Sequence, residues 1–328
     1  MTRLDADPTE TVAPSPPREH DGNGPRTVLL TSREVPLGGI RAMQVHRTLP
    51  QRDLPLVGAW CFLDRFGPQE ARMRVEPHPH IGLQTVTWPF IGEVHHRDSI
   101  GSDVVVRSGA LNLMTSGAGI SHSEYSVGEH EVPLDALQLW VALPESRRHG
   151  APAFERHEDL PVVEIDDAAA IVVIGEFAGA SSPASVFTPI VGAEVNLPAG
   201  ARARLPLRPE WEHAIVGIDG EVDAAAAPGS EGIAVGPHHL LYLGSDRDGI
   251  EVSSREGATF FLLGGEPFED DVVMWWNFVA RTHEEIVEAR EQWEAHSARF
   301  GSVAGHGDVR VPAPPLPGVR LTSRRRRL

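Results

Sequence analysis

The chain has 328 residues, 41% hydrophobic and 23% charged, which is long enough for two independently buried cores. Its formal net charge is −17 and it contains no lysine, so the acidity argues against sequence-independent binding to phosphate backbones and the missing amine excludes Schiff-base chemistry. The single cysteine, Cys61, cannot form an internal disulfide, which fits a reducing cytoplasm; no run of 18 apolar residues is present, so no membrane-spanning helix is expected.

In chain order, residues 1–26 are polar and proline-rich, without the apolar core of a signal peptide, and are expected to be a disordered tail. Short apolar or alternating runs then recur between Gly, Pro and Asp turns: TVLLTS, IRAMQVHRTL, LQTVTWPF, LNLMT and LQLWVALP. A second series follows in IVVIGEF, HAIVGIDGEV, HHLLYLG and ATFFLLGG. Many short strands with regular turns predict an all-β sandwich or barrel, and two such series predict a duplicated β domain. The expected division places one domain at 27–150 and the other at 151–300, joined near PESRRHGAPAFERHEDLP. Cys61, inside GAWCFLDRF, reads as a core thiol.

One helix is signalled near the end. Thr282 and Glu285 form a capping box, Ile286, Ala289 and Trp293 share a face, and Gly301 is placed for a C-cap. The apolar VVMWWNFVA before it is expected to anchor this helix to the second half. Residues 301–328 are expected to be an extended strap, because the prolines of VPAPPLPGV forbid helix, ending in a basic SRRRRL tail that is solvated or touches an anionic partner.

Two short motifs carry the chemistry: His78 and His80 in HPHIGLQTVTW, and His122 and Glu124 in MTSGAGISHSE. Residues i and i+2 of a strand point the same way, roughly 6.6 Å apart along it. Two such pairs on neighbouring strands would bring three imidazoles and one carboxylate to one point, a donor set suited to a divalent transition metal such as iron, nickel, copper or zinc. With 16 histidines present, one HxH is weak by itself; the matching HxE after a Gly-rich turn gives it weight. Pro77 and Pro79 suit a strand edge, and Gly117 and Gly119 permit the turn that aims His122. His95 and His96 are adjacent and face opposite ways, so at most one points inward, and neither is expected to be a ligand. Asp98 and Ser99 read as turn groups or supports.

These motifs, together with HHRDSIG, LLGGEPF, WWNFVA and HEEIVEAREQW leading to RFG, resemble those of the pirin family of the cupin superfamily, over about residues 30–315. The resemblance implies two tandem cupin (jelly-roll β-sandwich) domains with a C-terminal helix. It also implies one divalent metal, usually iron as Fe(II), held in the N-terminal domain by His78, His80, His122 and Glu124. The second domain would be metal-free, since Trp211-Glu212-His213 has one histidine where the first has two, and His238 and His239 are adjacent rather than alternating. Some pirins resemble quercetin 2,3-dioxygenases, which open a flavonol ring with O2 and release carbon monoxide. The resemblance therefore implies a small aromatic enolate or flavonol-like substrate, with Glu124 as ligand and proton acceptor. Other pirins are non-enzymatic iron and redox sensors that bind a partner protein; the negative charge favours a basic partner surface over nucleic acid. Pirin-like two-domain chains are commonly monomeric. Ile81, Gln84 and Ala118 stand where the family pattern has Arg, Glu and Arg, and these departures are expected near the pocket mouth.

Overall fold

The computed structural model describes residues 24–37, 43–227 and 229–323. Most of the tail expected at 1–26 and most of the SRRRRL segment lie outside the described residues. Two antiparallel sandwiches account for nearly all the rest, as the two strand series predict. Each pairs one broad sheet with one four-stranded sheet. In the N-terminal half the broad sheet runs through Leu83–Ile91, Val132–Ala142 and Trp60–Ala71 at its centre, and the small sheet is ordered Arg74–His80, Ile120–Ser126, Glu93–Asp98, Asp103–Arg107. The C-terminal half repeats the plan, with Glu212–Gly220 and Ala258–Gly265 central in the broad sheet.

The two broad sheets pack on each other through their outer faces. Trp60, Trp88, Leu113 and Leu139 from one half share a continuous core with Val216, Tyr242, Phe261 and Leu263 from the other. The interiors of the two sandwiches differ. The C-terminal one is filled by Val, Leu, Ala and aromatic side chains, among them Val195, Leu205, Ile215 and Phe260. The N-terminal one carries buried Arg47, Asp64, Thr87, His96, Asp98, Asn112, His122 and Glu124. Buried polar groups cost about 1–3 kcal/mol each when unpaired, so a polar interior on this scale is retained for a site rather than for packing.

Sheet membership does not follow the division expected at residue 150. Strand Pro25–Thr31 pairs with His239–Gly244 of the C-terminal broad sheet, and Ala153–His157 pairs with Leu111–Thr115 of the N-terminal one. Each half thus supplies an edge strand to the broad sheet of the other.

The helix is His283–Glu294, and its buried residues are Ile286, Ala289 and Trp293. Thr282 caps it by accepting from Glu285 N at 3.2 Å, while the Glu285 carboxylate accepts from Arg281 N at 2.8 Å. Two expectations for this region are corrected. The left-handed residue after the helix is His296 (φ 53°), whereas Gly301 (φ 62°) serves a later turn packed on Ser99. The helix and the WWNFVA segment are anchored to the N-terminal half: Ile81 shares a cluster with Trp276, Phe278, Ile286, Trp293 and Phe300. The strap is non-helical, as its prolines require, and Val311 N donates to Pro77 O at 2.8 Å. The C-terminal segments therefore brace the strand that carries His78 and His80. No helix among the described residues is long and apolar enough to cross a membrane.

Candidate metal centre

Arg74–His80 is the edge strand of the small N-terminal sheet, and Ile120–Ser126 lies beside it with His122 opposite His78. An irregularity between His122 and Glu124 shifts the register there. His78, His80 and His122 are all buried, with ring centroids 4.3 to 5.0 Å apart, and their nitrogens cluster tightly enough to hold one metal ion.

The donor set fits a metal in its protonation as well as its position. His78 Nδ1 donates to Glu76 O at 2.9 Å and His80 Nδ1 donates to Asn277 O at 3.1 Å. A carbonyl only accepts, so Nδ1 carries the proton in both rings and each Nε2 presents a lone pair. His80 Nε2 and His122 Nε2 lie 3.0 Å apart. Two nitrogens each about 2.1 Å from one ion, at a right angle, are separated by roughly that distance. Burial depresses His78 to about 4 and holds His80 and His122 well below the ordinary imidazole range. All three are therefore neutral at pH 7, the form that binds metals.

Glu124 lines the same cavity, but its carboxylate clusters with His122 and His96 rather than with His78 and His80. Burial raises its pKa. The Thr87 hydroxyl lies 3.3 Å from Glu124 Oε1 and 3.0 Å from Gln138 Oε1, so its one proton serves one of them at a time.

Of the adjacent histidines, His96 is the one that faces the site. Strand Glu93–Asp98 alternates half-buried and buried residues, and His96 falls on the buried side with Val94 and Asp98. Its Nδ1 lies 3.3 Å from His122 Nδ1. His95 points outward to Asp103 at 2.5 Å. Asp98 is a turn group, as expected: its Oδ1 accepts from Ile100 N and Ser102 N. The departures from the family pattern also sit elsewhere than the pocket mouth. Ile81 packs on the tryptophan cluster, Gln84 Nε2 donates to Thr115 Oγ1 and Ser185 O, and Arg299 Nε donates to Ala118 O.

The cavity of about 40 Å3 is walled by Phe62 and Trp140, stacked with centroids 4.0 Å apart, and by Asp64, Gln138 and Asn277. Asp64 is held by both arms of the buried Arg47 guanidinium, at 2.8 Å each. Asn277 Oδ1 is buried with no hydrogen-bond partner. None of these wall residues carries a motif spacing; they come from the centre of the broad sheet and from the WWNFVA turn. Cys61, behind Trp140, is buried, and burial pushes its thiol up to about 12.

The C-terminal sandwich has no matching set among the described residues. Glu212 instead accepts from Gly58 N at 2.7 Å and Tyr242 Oη at 3.2 Å, tying the two halves together. His213 is buried and depressed by burial to about 4. The unfolded chain thus binds a proton at this position between about pH 6.5 and 4 that the folded chain does not. His213 is expected to remove of order 3 kcal/mol of stability as pH falls through that window, and none above it. Denaturant unfolding of wild type and His213→Gln at pH 7 and pH 4.5 measures this as a smaller loss in the variant.

A two-sandwich β fold with a histidine cluster in one interior defines a bicupin with one metal-competent site among the described residues. The Pirin family model matches residues 42–141, and the Pirin C-terminal cupin domain model matches residues 192–301. The chain belongs to the pirin family. It is 40% identical over 292 residues to a Pseudomonas aeruginosa protein named "Putative quercetin 2,3-dioxygenase", covering 88% of this chain and 90% of that one. Human Pirin is 32% identical over 270 residues, covering 80% and 90%. The crystal structure of quercetin 2,3-dioxygenase from Acinetobacter baumannii superposes with a TM-score of 0.84 at 39% identity, over 90% of this chain and 97% of that one.

Proposed function

We propose that this protein is a metal-dependent dioxygenase of the quercetin 2,3-dioxygenase type, with His78, His80, His122 and Glu124 holding one divalent transition metal, Fe(II) in the cell. The observation that carries the reading is the convergence of three neutral, buried imidazoles, two with their Nε2 lone pairs left free by backbone acceptors. A 40% identical relative with a dioxygenase name and a 39% identical dioxygenase structure support the reaction class. The one cysteine, buried and free, fits a cytoplasmic location.

The metal supplies Lewis-acid polarisation of an enolate oxygen and a place for oxygen chemistry. The chain's own residues do the rest. Phe62 and Trp140 give the cavity an apolar aromatic side. Asn277 Oδ1, buried without a partner, is an acceptor for a substrate hydroxyl. Glu124, set beside Thr87 at the cavity wall, takes the flavonol hydroxyl proton. The Arg47 clamp keeps Asp64 neutralised, so the wall does not repel an anionic substrate.

Oxygen uptake by iron-loaded protein with quercetin tests this. Metal-dependent uptake that is lost in Glu124→Ala is expected. Metal-loaded protein that takes up no oxygen would overturn it.

A second reading is favoured by the size of the cavity. About 40 Å3 lies far below the roughly 300–1,000 Å3 of small-molecule pockets, room for an ion and a water-sized group. A redox-sensing pirin whose metal state alters a protein-binding surface needs no more than that. It predicts partner binding that changes with metal oxidation state and is indifferent to flavonol.

A further inference from the structure

We propose that Asp98 and His96 form a hydrogen-bonded relay that positions His122 and raises its donor strength toward the metal; the inference rests on the metal-site reading above. The proton inventory fixes its direction. The Asp98 carboxylate takes the turn amides of Ile100 and Ser102 on Oδ1, at 3.1 and 2.9 Å. That leaves Oδ2, which lies 3.1 Å from His96 Nε2. A carboxylate accepts, so His96 Nε2 carries the proton and, in a neutral ring, His96 Nδ1 is an acceptor. His96 Nδ1 is 3.3 Å from His122 Nδ1. His122 must therefore donate from Nδ1, and its Nε2 is left with a lone pair directed at His80 Nε2, 3.0 Å away. The same logic that frees Nε2 of His78 and His80 through carbonyls operates here through a second imidazole and a carboxylate.

The surroundings hold the relay in place. His122 lies opposite Asp98, and Glu124 opposite His96, in the pairing of their two strands. His96 is stacked on Phe154, with centroids 4.6 Å apart and planes 23° apart. Phe154 belongs to strand Ala153–His157, which crosses over to pair with the N-terminal sheet. His96, Asp98 and His122 are each at most 2% exposed, so water does not compete for these bonds, and a chain of hydrogen bonds in such a setting polarises its members together. Glu76 O and Asn277 O, neutral carbonyls, stand behind the other two rings. Only His122 is backed by an anion. That asymmetry marks His122 as the strongest donor of the three and favours the more highly charged state of a redox-active ion.

The test uses cobalt(II) and nickel(II) as probes on full-length Asp98→Asn, His96→Gln and the control His95→Gln. Chelator competition gives affinity, the cobalt(II) ligand-field spectrum reports the donor set, and 15N correlation spectra of the zinc(II) form report which ring nitrogens carry protons. Loss of a supporting group behind a metal ligand typically lowers affinity 10–100-fold. That loss is expected in both relay variants, with a shifted cobalt spectrum and wild-type behaviour in His95→Gln. The zinc(II) form is expected to show His122 protonated on Nδ1 and His96 on Nε2. Wild-type affinity and spectrum in Asp98→Asn would overturn the relay. So would total loss of metal in His96→Gln beside wild-type binding in Asp98→Asn, which makes His96 itself a ligand. Wild type that takes no metal at all overturns the site reading and, with it, any role for the relay in metal binding.

Discussion

His122→Ala is expected to lower metal affinity by more than the roughly 100-fold that loss of a supporting residue can cost and to bring metal-dependent oxygen uptake to background. The argument is one of position. His122 is the residue through which every part of the cluster connects: its Nε2 meets His80 at 3.0 Å, its Nδ1 meets His96 at 3.3 Å, and its ring lies 4.3 Å from that of His78. It belongs to both groupings of metal-competent side chains in the molecule's described residues. Deleting it leaves two imidazoles with a wide gap where the third stood, and a buried Glu124 that gains no cation to offset its desolvation. The measurement is metal content by elemental analysis after dialysis, beside a thermal melt with and without added metal. Wild type at a free metal concentration 100 times Kd should gain about 2.7 kcal/mol of stability, and the variant should gain none. A variant that melts like wild type without metal, yet no longer responds to it, separates loss of the site from loss of the fold. Equal metal content in the two proteins would remove His122 from the ligand set.

Much of this site was legible because strand periodicity turns an i, i+2 spacing into a shared face. The HxH spacing, matched by HxE after a Gly-rich turn, points to His78, His80 and His122, and the same alternation places Val94, His96 and Asp98 together. Two neighbours on a strand face opposite ways, so at most one of His95 and His96 points inward; that it is His96 depends on a register the local sequence does not show. The position of Glu124 was less accessible: the register irregularity between His122 and Glu124 breaks the simple period, and the carboxylate ends beside His96. The wall of the cavity was not legible at all. Phe62, Gln138 and Trp140 lie in strands whose sequence pattern reports only burial, and which sheet faces the site is decided by packing between distant strands. The strand exchange of Pro25–Thr31 and Ala153–His157 escaped for the same reason, since edge pairing leaves no local signature.

Trp60→Ala is expected to destabilise the protein by about 3–5 kcal/mol and to weaken both halves together, in a single unfolding transition. Trp60 is fully buried, and its indole Nε1 donates toward Val191 O at 3.2 Å and Gly264 O at 3.0 Å, both in the C-terminal broad sheet. The absence of a side chain at Gly192 makes room for it: a Cβ there would sit 3.1 Å from the indole ring. The substitution leaves a cavity in the core shared by the two sheets and strips a donor from buried carbonyls. Its neighbours give the loss a functional direction. Trp60 opens the strand Trp60–Ala71, and the same strand supplies Phe62 and Asp64 to the metal-site wall. The Glu212 carboxylate bonds Gly58 N two residues before it. A shared core, exchanged edge strands and these cross-links leave neither sandwich a complete surface of its own, so calorimetry should show one endotherm in wild type and one, at lower temperature, in Trp60→Ala. Two separated endotherms in either protein would show that the halves fold independently. In the single-transition case the C-terminal sandwich, which holds no ligand set among its described residues, has a definite role: it supplies the rigid face against which the site-bearing sheet is held.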